Sequence, residues 1–272
     1  MRDHVAMPTA TFRVHGSLDD FIGTARRGRP IVREFADSPG IKDVIQALGP
    51  PHPEVDLIVV NGRPVGFDYR LRPGDLVDVF GLDRPPEPSG AIGLVPLPPD
   101  PPRFVLDGHL GRLARYLRML GFDSLYAAQA TDPELARQSG ADQRILLTRD
   151  RGLLKRSIVR HGYLVRDDDP RRQLVEVVAR YGLSRTAAPF SRCVGCNGTI
   201  APVERAEVAE RLAGEPRTLR YFDTFGRCGG CGSIYWPGSH YDRMSRLAAE
   251  VLRSDTRIGE NQADQHARRS VE

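Results

Sequence analysis

The chain's four cysteines stand in two tight pairs, Cys193-Val194-Gly195-Cys196 and Cys228-Gly229-Gly230-Cys231. A Cys-x-x-Cys pair puts two thiolates within reach of one ion. Two such pairs complete the tetrahedral sulfur shell that Zn²⁺ prefers. The glycines around them permit the tight turns that aim backbone amides at sulfur. Two disulfides or a redox pair are the alternative use of the same residues. The insert between the pairs is 31 residues, more than a minimal ribbon needs. A closed all-sulfur shell is structural. Cys193, Cys196, Cys228 and Cys231 therefore predict a zinc-stapled module over 189–252, and the chemistry must lie elsewhere.

A length of 272 residues suits two or three domains. No apolar run is long enough to span a membrane, and the N-terminus lacks the apolar stretch of a signal peptide. With thiolates kept reduced, a cytoplasmic protein is expected. The net charge is +4, unevenly spread. Residues 9–82 carry 9 basic and 10 acidic side chains, whereas 103–191 carry 16 and 10. The middle segment thus holds most of the positive excess, as a polyanionic partner would require. Lys42 and Lys155 are the lysines of the chain. Arginine is used almost everywhere else, a bias that base composition can also produce.

From Thr9 to Leu82 the pattern is that of a small sheet clasping one helix. Thr11–Gly16 alternates as a strand and Ile31–Phe35 reads as the second arm of a hairpin. Gly40–Gly49 has helical spacing and stops at glycine. Val55–Val60, an Asn61-Gly62 turn and Arg63–Val65 follow, and Asp75–Phe80 alternates again. This order, with its Val-Asn-Gly-Arg-Pro-Val and Leu-Arg-Pro-Gly-Asp-Leu-Val-Asp-Val-Phe segments, resembles the ubiquitin-like sulfur carriers of thiamine and molybdopterin synthesis. Those carriers end in Gly-Gly. Here Gly81 runs on into Leu82, which favours a binding or scaffolding module over carrier chemistry. Residues 83–102 are proline-rich and predict an extended linker. Residues 253–272 are polar and charged and predict a disordered tail.

From 103 to 188 strands alternate with helices, which predicts a parallel sheet with helices on both faces. Asp107 and Asp150 each sit just past the C-terminal end of a predicted strand, as does the Asp167–Asp169 cluster. Ligands of open parallel sheets bind at those ends. Asp132 opens a helix and could face the same rim. Carboxylates gathered there repel unless a cation lies between them, and oxygen donors with waters retained suit Mg²⁺ or Mn²⁺. Metal-dependent phosphodiester hydrolysis is the reaction such a rim serves best. Each acid also has a plainer use: Asp107, Asp150 and Asp132 could simply cap the helices that follow them. Asp167 is a second-tier candidate and Asp123 is assigned to a turn; Glu134 and Asp142 are either outer-shell groups or solvated helix surface, and His109, close enough to touch a phosphate, is expected as a surface histidine. Arg112, Arg115 and Arg118 lie three apart, opposite a leucine stripe, and form either a phosphate-binding strip or a solvated face. Arg149 and Arg151 bracket Asp150 and could also meet phosphate.

Three segments, Phe104–Asp123, Ile145–Leu154 and Cys228–Tyr241, together resemble the Mut-seven C-terminal ribonuclease family. The resemblance covers about 9–250. It implies a multi-domain α/β chain: an N-terminal ubiquitin-like β-grasp (9–82), a PIN-like three-layer α/β nuclease domain (103–188) and a zinc ribbon (189–252). It also implies cleavage of single-stranded RNA at a Mg²⁺ or Mn²⁺ site. The family pattern matches Asp107, Asp150 in its Thr-x-Asp motif and, less closely, Asp132; a fourth acid has no unique match. Tyr235, Trp236, His240 and Tyr241 follow the second cysteine pair. They could stack on RNA bases, but the module's small core favours packing. The competing functions are a non-catalytic RNA-binding adaptor and a sulfur-transfer accessory. The ubiquitin-like domain is the expected surface for a protein partner.

Overall fold

The computed structural model describes residues 7–83, 93–214 and 216–269. Part of the expected linker, 84–92, lies outside them, as do 270–272. Side chains at 216 and from 256 onward are not described.

The N-terminal region is built from β1 (Thr9–Val14), β2 (Ile31–Glu34), helix α1 (Ile41–Leu48), β3 (Val55–Val60), β4 (Arg63–Val65) and β5 (Leu76–Gly81). They form a five-stranded sheet in the order β2-β1-β5-β3-β4. Its central pair, β1 and β5, is parallel and its other pairs are antiparallel. Strand alternation points Phe12, Ile58, Val77 and Val79 inward, and α1 adds Ile41 and Ile45; all are at most 1% exposed. The β3–β4 hairpin closes at Asn61 (φ 50°) and Gly62 (φ 79°), the left-handed pair that a two-residue turn demands. The Asn61 side chain donates to Asp75 and accepts from the Leu76 amide. Asp75, 3% exposed, also accepts from the Tyr69 hydroxyl and the Arg72 amide. The turn is thereby fixed to β5.

The chain continues through β6 (Phe104–Leu106), α2 (Gly111–Met119), β7 (Ser124–Tyr126), α3 (Asp132–Ala141), β8 (Ile145–Thr148), α4 (Arg151–Leu154), β9 (Gly162–Leu164) and α5 (Pro170–Tyr181). These strands form a sheet in the order β7-β6-β8-β9, with β6 parallel to both β7 and β8. The residues of β6 and β8 are apolar and buried apart from the final Thr148, itself fully buried. Such continuous burial is what parallel strands covered by helices require. The last part holds β10 (Ile200–Val203), α6 (Arg205–Ala209), α7 (Pro216–Tyr221), β11 (Phe225–Cys228), β12 (Ile234–Tyr235) and α8 (Ser239–Arg269). The strands make an antiparallel sheet β10-β11-β12 around the cysteine pairs.

Two features differ from the sequence reading. The segment expected to be a disordered tail is helical as far as Arg269; it is rich in helix-forming Arg, Ala, Glu and Gln and follows the apolar residues Ala248 and Val251, which are buried. The chain divides inside its expected linker, at 98/99, but residues 150–163 leave the expected nuclease segment for the first unit. One compact unit comprises 1–98 together with 150–163, and the other 99–149 together with 164–272. Within the first unit, Arg151 donates to the carbonyls of Asp20 and Phe21 and lies over the Phe21 ring. Lys155 donates to the carbonyl of Gln46. Among the described residues no helix is long and apolar enough to cross a membrane.

Candidate functional site

The four thiols lie with their sulfurs within 4.8 Å of one another. Cys193 and Cys231 sulfurs are 3.7 Å apart, and those of Cys196 and Cys228 are 3.3 Å apart. These spacings exceed a disulfide bond of about 2.05 Å. They approach the roughly 3.8 Å edge of a tetrahedron with about 2.3 Å zinc–sulfur bonds. Amides of Cys196, Gly198, Gly230 and Cys231 point at sulfurs at 3.3–3.5 Å. The Tyr235 hydroxyl donates to Cys193 at 2.9 Å. The Ser233 hydroxyl and amide pull the Cys231 thiol down to about 6. A side chain at Gly198 would put its Cβ 2.9 Å from the Cys228 sulfur, so this position must be glycine for the knuckles to close. The donors surrounding four thiolates fit a structural zinc.

The first knuckle is tied to the parallel-sheet core of its own unit. Arg118, 5% exposed, donates from Nε to the Ser124 carbonyl and from Nη1 to those of Gly195 and Val194. Asn197, in the left-handed region at φ 71°, accepts from the Ser124 amide and donates to Asp123. Asp123 in turn pairs with Arg144 at 2.9 Å. Burial alone would raise the Asp123 carboxyl, but hydrogen bonds from Arg144 and Asn197 hold it below its usual value. The sequence reading placed Arg118 with a surface strip and Asp123 with a turn. The structure corrects both: the helix turns Arg118 inward, where three carbonyls satisfy its guanidinium. The one local sign was Asn197, a residue that tolerates left-handed backbone, directly after Cys196.

Asp107 follows β6 and is 6% exposed. Its Oδ1 accepts from the His109 amide at 2.9 Å; its Oδ2 accepts from the Arg149 amide at 2.9 Å and from the Thr148 hydroxyl. It thus caps the turn after β6 and also binds the end of β8. The chain must pass close here: a Cβ at Gly108 would lie 2.9 Å from the Ala128 carbonyl oxygen. Asp132 is the exposed first residue of α3. It does not cap that helix. Glu134 accepts from both the amide and the hydroxyl of Thr131 at 2.8 Å, closing a capping box on Thr131. Asp150 is exposed and accepts from the Gly152 amide at 2.6 Å as the N-cap of α4.

Among the described residues the four thiols are the set of three or more His, Cys, Asp or Glu groups drawn that closely together. Asp107, Asp132 and Asp150 do not form such a set. Asp167, Asp168 and Asp169 serve the loop before α5. Asp169 caps the helix through the Arg171 and Arg172 amides, Asp167 pairs with Arg172, and Asp168 pairs with Arg149. Of the expected phosphate ligands, Arg112 and Arg115 are exposed on α2. Arg149 is exposed and paired with Asp168. Arg151 is held by the carbonyls of Asp20 and Phe21.

An N-terminal β-grasp-type sheet, a parallel-sheet domain with carboxylates past its strands and a ribbon whose four thiols can hold a metal together define a multi-domain α/β protein. The family comparison is specific. The Mut7-C RNAse domain matches residues 102–248 and the Mut7-C ubiquitin domain matches 7–86. The chain belongs to the Mut7-C family, with its ubiquitin-like domain at the N-terminus. No curated protein and no solved structure matches it.

Proposed function

We propose that this chain is a metal-dependent ribonuclease that hydrolyses phosphodiester bonds of single-stranded RNA, with Asp107 and Asp132 of the second unit among its carboxylates. The observation that carries this reading is Asp107. It is a buried carboxylate at the carboxyl end of a parallel strand, held by the end of the neighbouring strand, inside a domain that matches a ribonuclease family. Oxygen donors of this kind fit Mg²⁺ or Mn²⁺, which accept one or two carboxylates and keep several waters. Such an ion would supply an activated water and offset charge on the leaving oxygen.

The chain's own residues do the rest. Thr148 and the Arg149 amide fix Oδ2 of Asp107 and so fix the plane of its carboxylate. Asp132, released from capping by Thr131 and Glu134, keeps its carboxylate available. Arg112 and Arg115 offer guanidinium groups to the RNA backbone. The zinc ribbon is the scaffold, and the ubiquitin-like domain is the surface proposed for a protein partner.

Purified protein supplied with Mn²⁺ is expected to cut single-stranded RNA. Replacing an outer-shell partner of a metal typically costs about 10- to 100-fold. Replacing a ligand by Asp132→Asn or Asp107→Asn should therefore cost at least about 100-fold in turnover. Asp107→Asn also turns an amide group toward two donors, so exposed Asp132→Asn is the cleaner variant. Unchanged cleavage in both, with circular dichroism showing both folded, would exclude this site. RNA binding with no Mn²⁺-dependent cleavage by the unaltered protein would favour the adaptor function instead.

A further inference from the structure

The zinc module carries a groove of about 620 Å³ that the proposed carboxylate site does not use. Strands β11 and β12 contribute its floor, the start of α8 one wall, and Phe190 and Arg192, ahead of the first knuckle, another. Besides the buried Phe225, four aromatic rings line it: Phe190, Tyr235, Trp236 and Tyr241. Two of them are fixed from behind. The Tyr235 hydroxyl is tied to the Cys193 sulfur, and Trp236 packs on the cluster of Val208, Leu212 and Phe225. The other two face one another, with ring centroids 4.4 Å apart and planes inclined at 40°. Tyr241 remains 37% exposed. Packing therefore accounts for the backs of Tyr235 and Trp236 but leaves an open aromatic cleft.

Its charge narrows what can enter. The lining includes Arg192 and His240 and no Asp or Glu. Arg192 gives Nη1 to the Asn197 carbonyl and its charge also acts on Asp123; a guanidinium has five N–H donors, more than that one bond uses. Flat, fixed rings beside a cation are the means by which proteins hold an unstacked base and its phosphate without reading sequence. The volume lies within the range of small-ligand sites, about 300–1,000 Å³. The whole groove falls inside the segment matched to the ribonuclease domain.

We propose that this groove is a stacking subsite for an unpaired base of the RNA strand, separate from the place of cleavage. The proposal rests on the ribonuclease reading for the nature of the polymer, but on the groove alone for the stacking.

Trp236 is the single tryptophan of the chain, so its emission reports on the groove alone. Full-length protein without Mg²⁺ or Mn²⁺ is titrated with oligouridylate and oligoadenylate, following Trp236 fluorescence and, in parallel, the anisotropy of labelled oligomer. Both oligomers should quench Trp236 saturably, and an abasic oligomer of equal length should not. Tyr241→Ala, at an exposed position, should weaken binding about 5- to 100-fold. Tyr241→Phe, which keeps the ring, should restore it to within about twofold of the unaltered protein. RNA binding that leaves Trp236 emission unchanged, or Tyr241→Ala binding as tightly as the unaltered protein, would overturn the subsite. So would emission changes that depend on protein concentration without RNA, which would give the groove to a second copy of the chain. Saturable quenching without any Mn²⁺-dependent cleavage would sink the nuclease reading and leave the subsite standing. Cleavage with a silent Trp236 would do the reverse.

Discussion

At the scale of single residues, the sequence named the chemistry of the cysteines but not what surrounds them. Cys-x-x-Cys spacing is a local property, and local spacing survives folding. The partners of Arg118, Asp123 and Asn197 come from as far as 77 positions away, and no periodicity in the chain announces them. Arg144 has a 9% exposed side chain and depends on Asp123 for its compensation. Breaking a fully buried pair costs about 3–5 kcal/mol. Asp123 keeps 19% of its side chain exposed, so Asp123→Ala should cost less, about 2–3 kcal/mol. Urea unfolding followed by far-ultraviolet circular dichroism measures this. A change within about 0.5 kcal/mol, the usual range of a surface substitution, would show that the knuckle is not tied to the sheet by this network.

At the scale of elements, α3 separates two uses of neighbouring side chains. Thr131 carries the cap and Asp132 does not. Thr131→Ala should therefore destabilise the protein by about 1 kcal/mol. Asp132→Asn should leave stability within about 0.5 kcal/mol while lowering RNA cleavage. Equal stability losses in the two variants would return Asp132 to capping.

A second element-scale prediction concerns His52. Its Nε2 donates to the Val159 carbonyl at 2.8 Å within the first unit, and its Nδ1 faces the Gln46 carboxamide at 3.1 Å. Burial, with Lys42 nearby, lowers its pKa from 6.5 to about 4. The folded protein thus resists a proton that the unfolded chain accepts. The stability this neutral ring carries is whole above pH 6.5 and is lost as the pH falls toward 4. The loss should reach roughly 3 kcal/mol. Melting temperatures measured across that range should fall more steeply for the unaltered protein than for His52→Gln, and parallel slopes would remove His52 from the account.

At the scale of the whole molecule, the small apolar core of the ribbon predicts that its fold depends on a metal. Its buried cluster consists of Val208, Leu212 and Phe225 with a few partly buried neighbours. Structural zinc supplies about 10–16 kcal/mol of apparent binding energy in isolated fingers. Chelation should therefore expose all four thiols to a thiol reagent and shift Trp236 emission, because Tyr235 and Trp236 lose the knuckle behind them. The five-stranded N-terminal sheet, whose unit holds no cysteine, should keep its hydrogen-exchange protection. Thiols that stay unreactive after chelation would argue against a metal site.

Much of the architecture was legible beforehand. The Asn61-Gly62 turn, the glycine stop after α1, the buried apolar runs of β6 and β8 and the paired cysteines are local signals set by backbone sterics, side-chain periodicity and ligand spacing. They settled the fold class and the four-thiol module. The sequence could place Asp107, Asp132 and Asp150 at strand or helix ends but not say which of them cap. It could not show that Arg118 turns inward, that residues 150–163 join the first unit, or that Phe190 meets Tyr241. Those outcomes depend on which distant groups satisfy a buried donor or cover an apolar ring. Only the closed tertiary structure, in which each buried polar atom must find its partner, decides them.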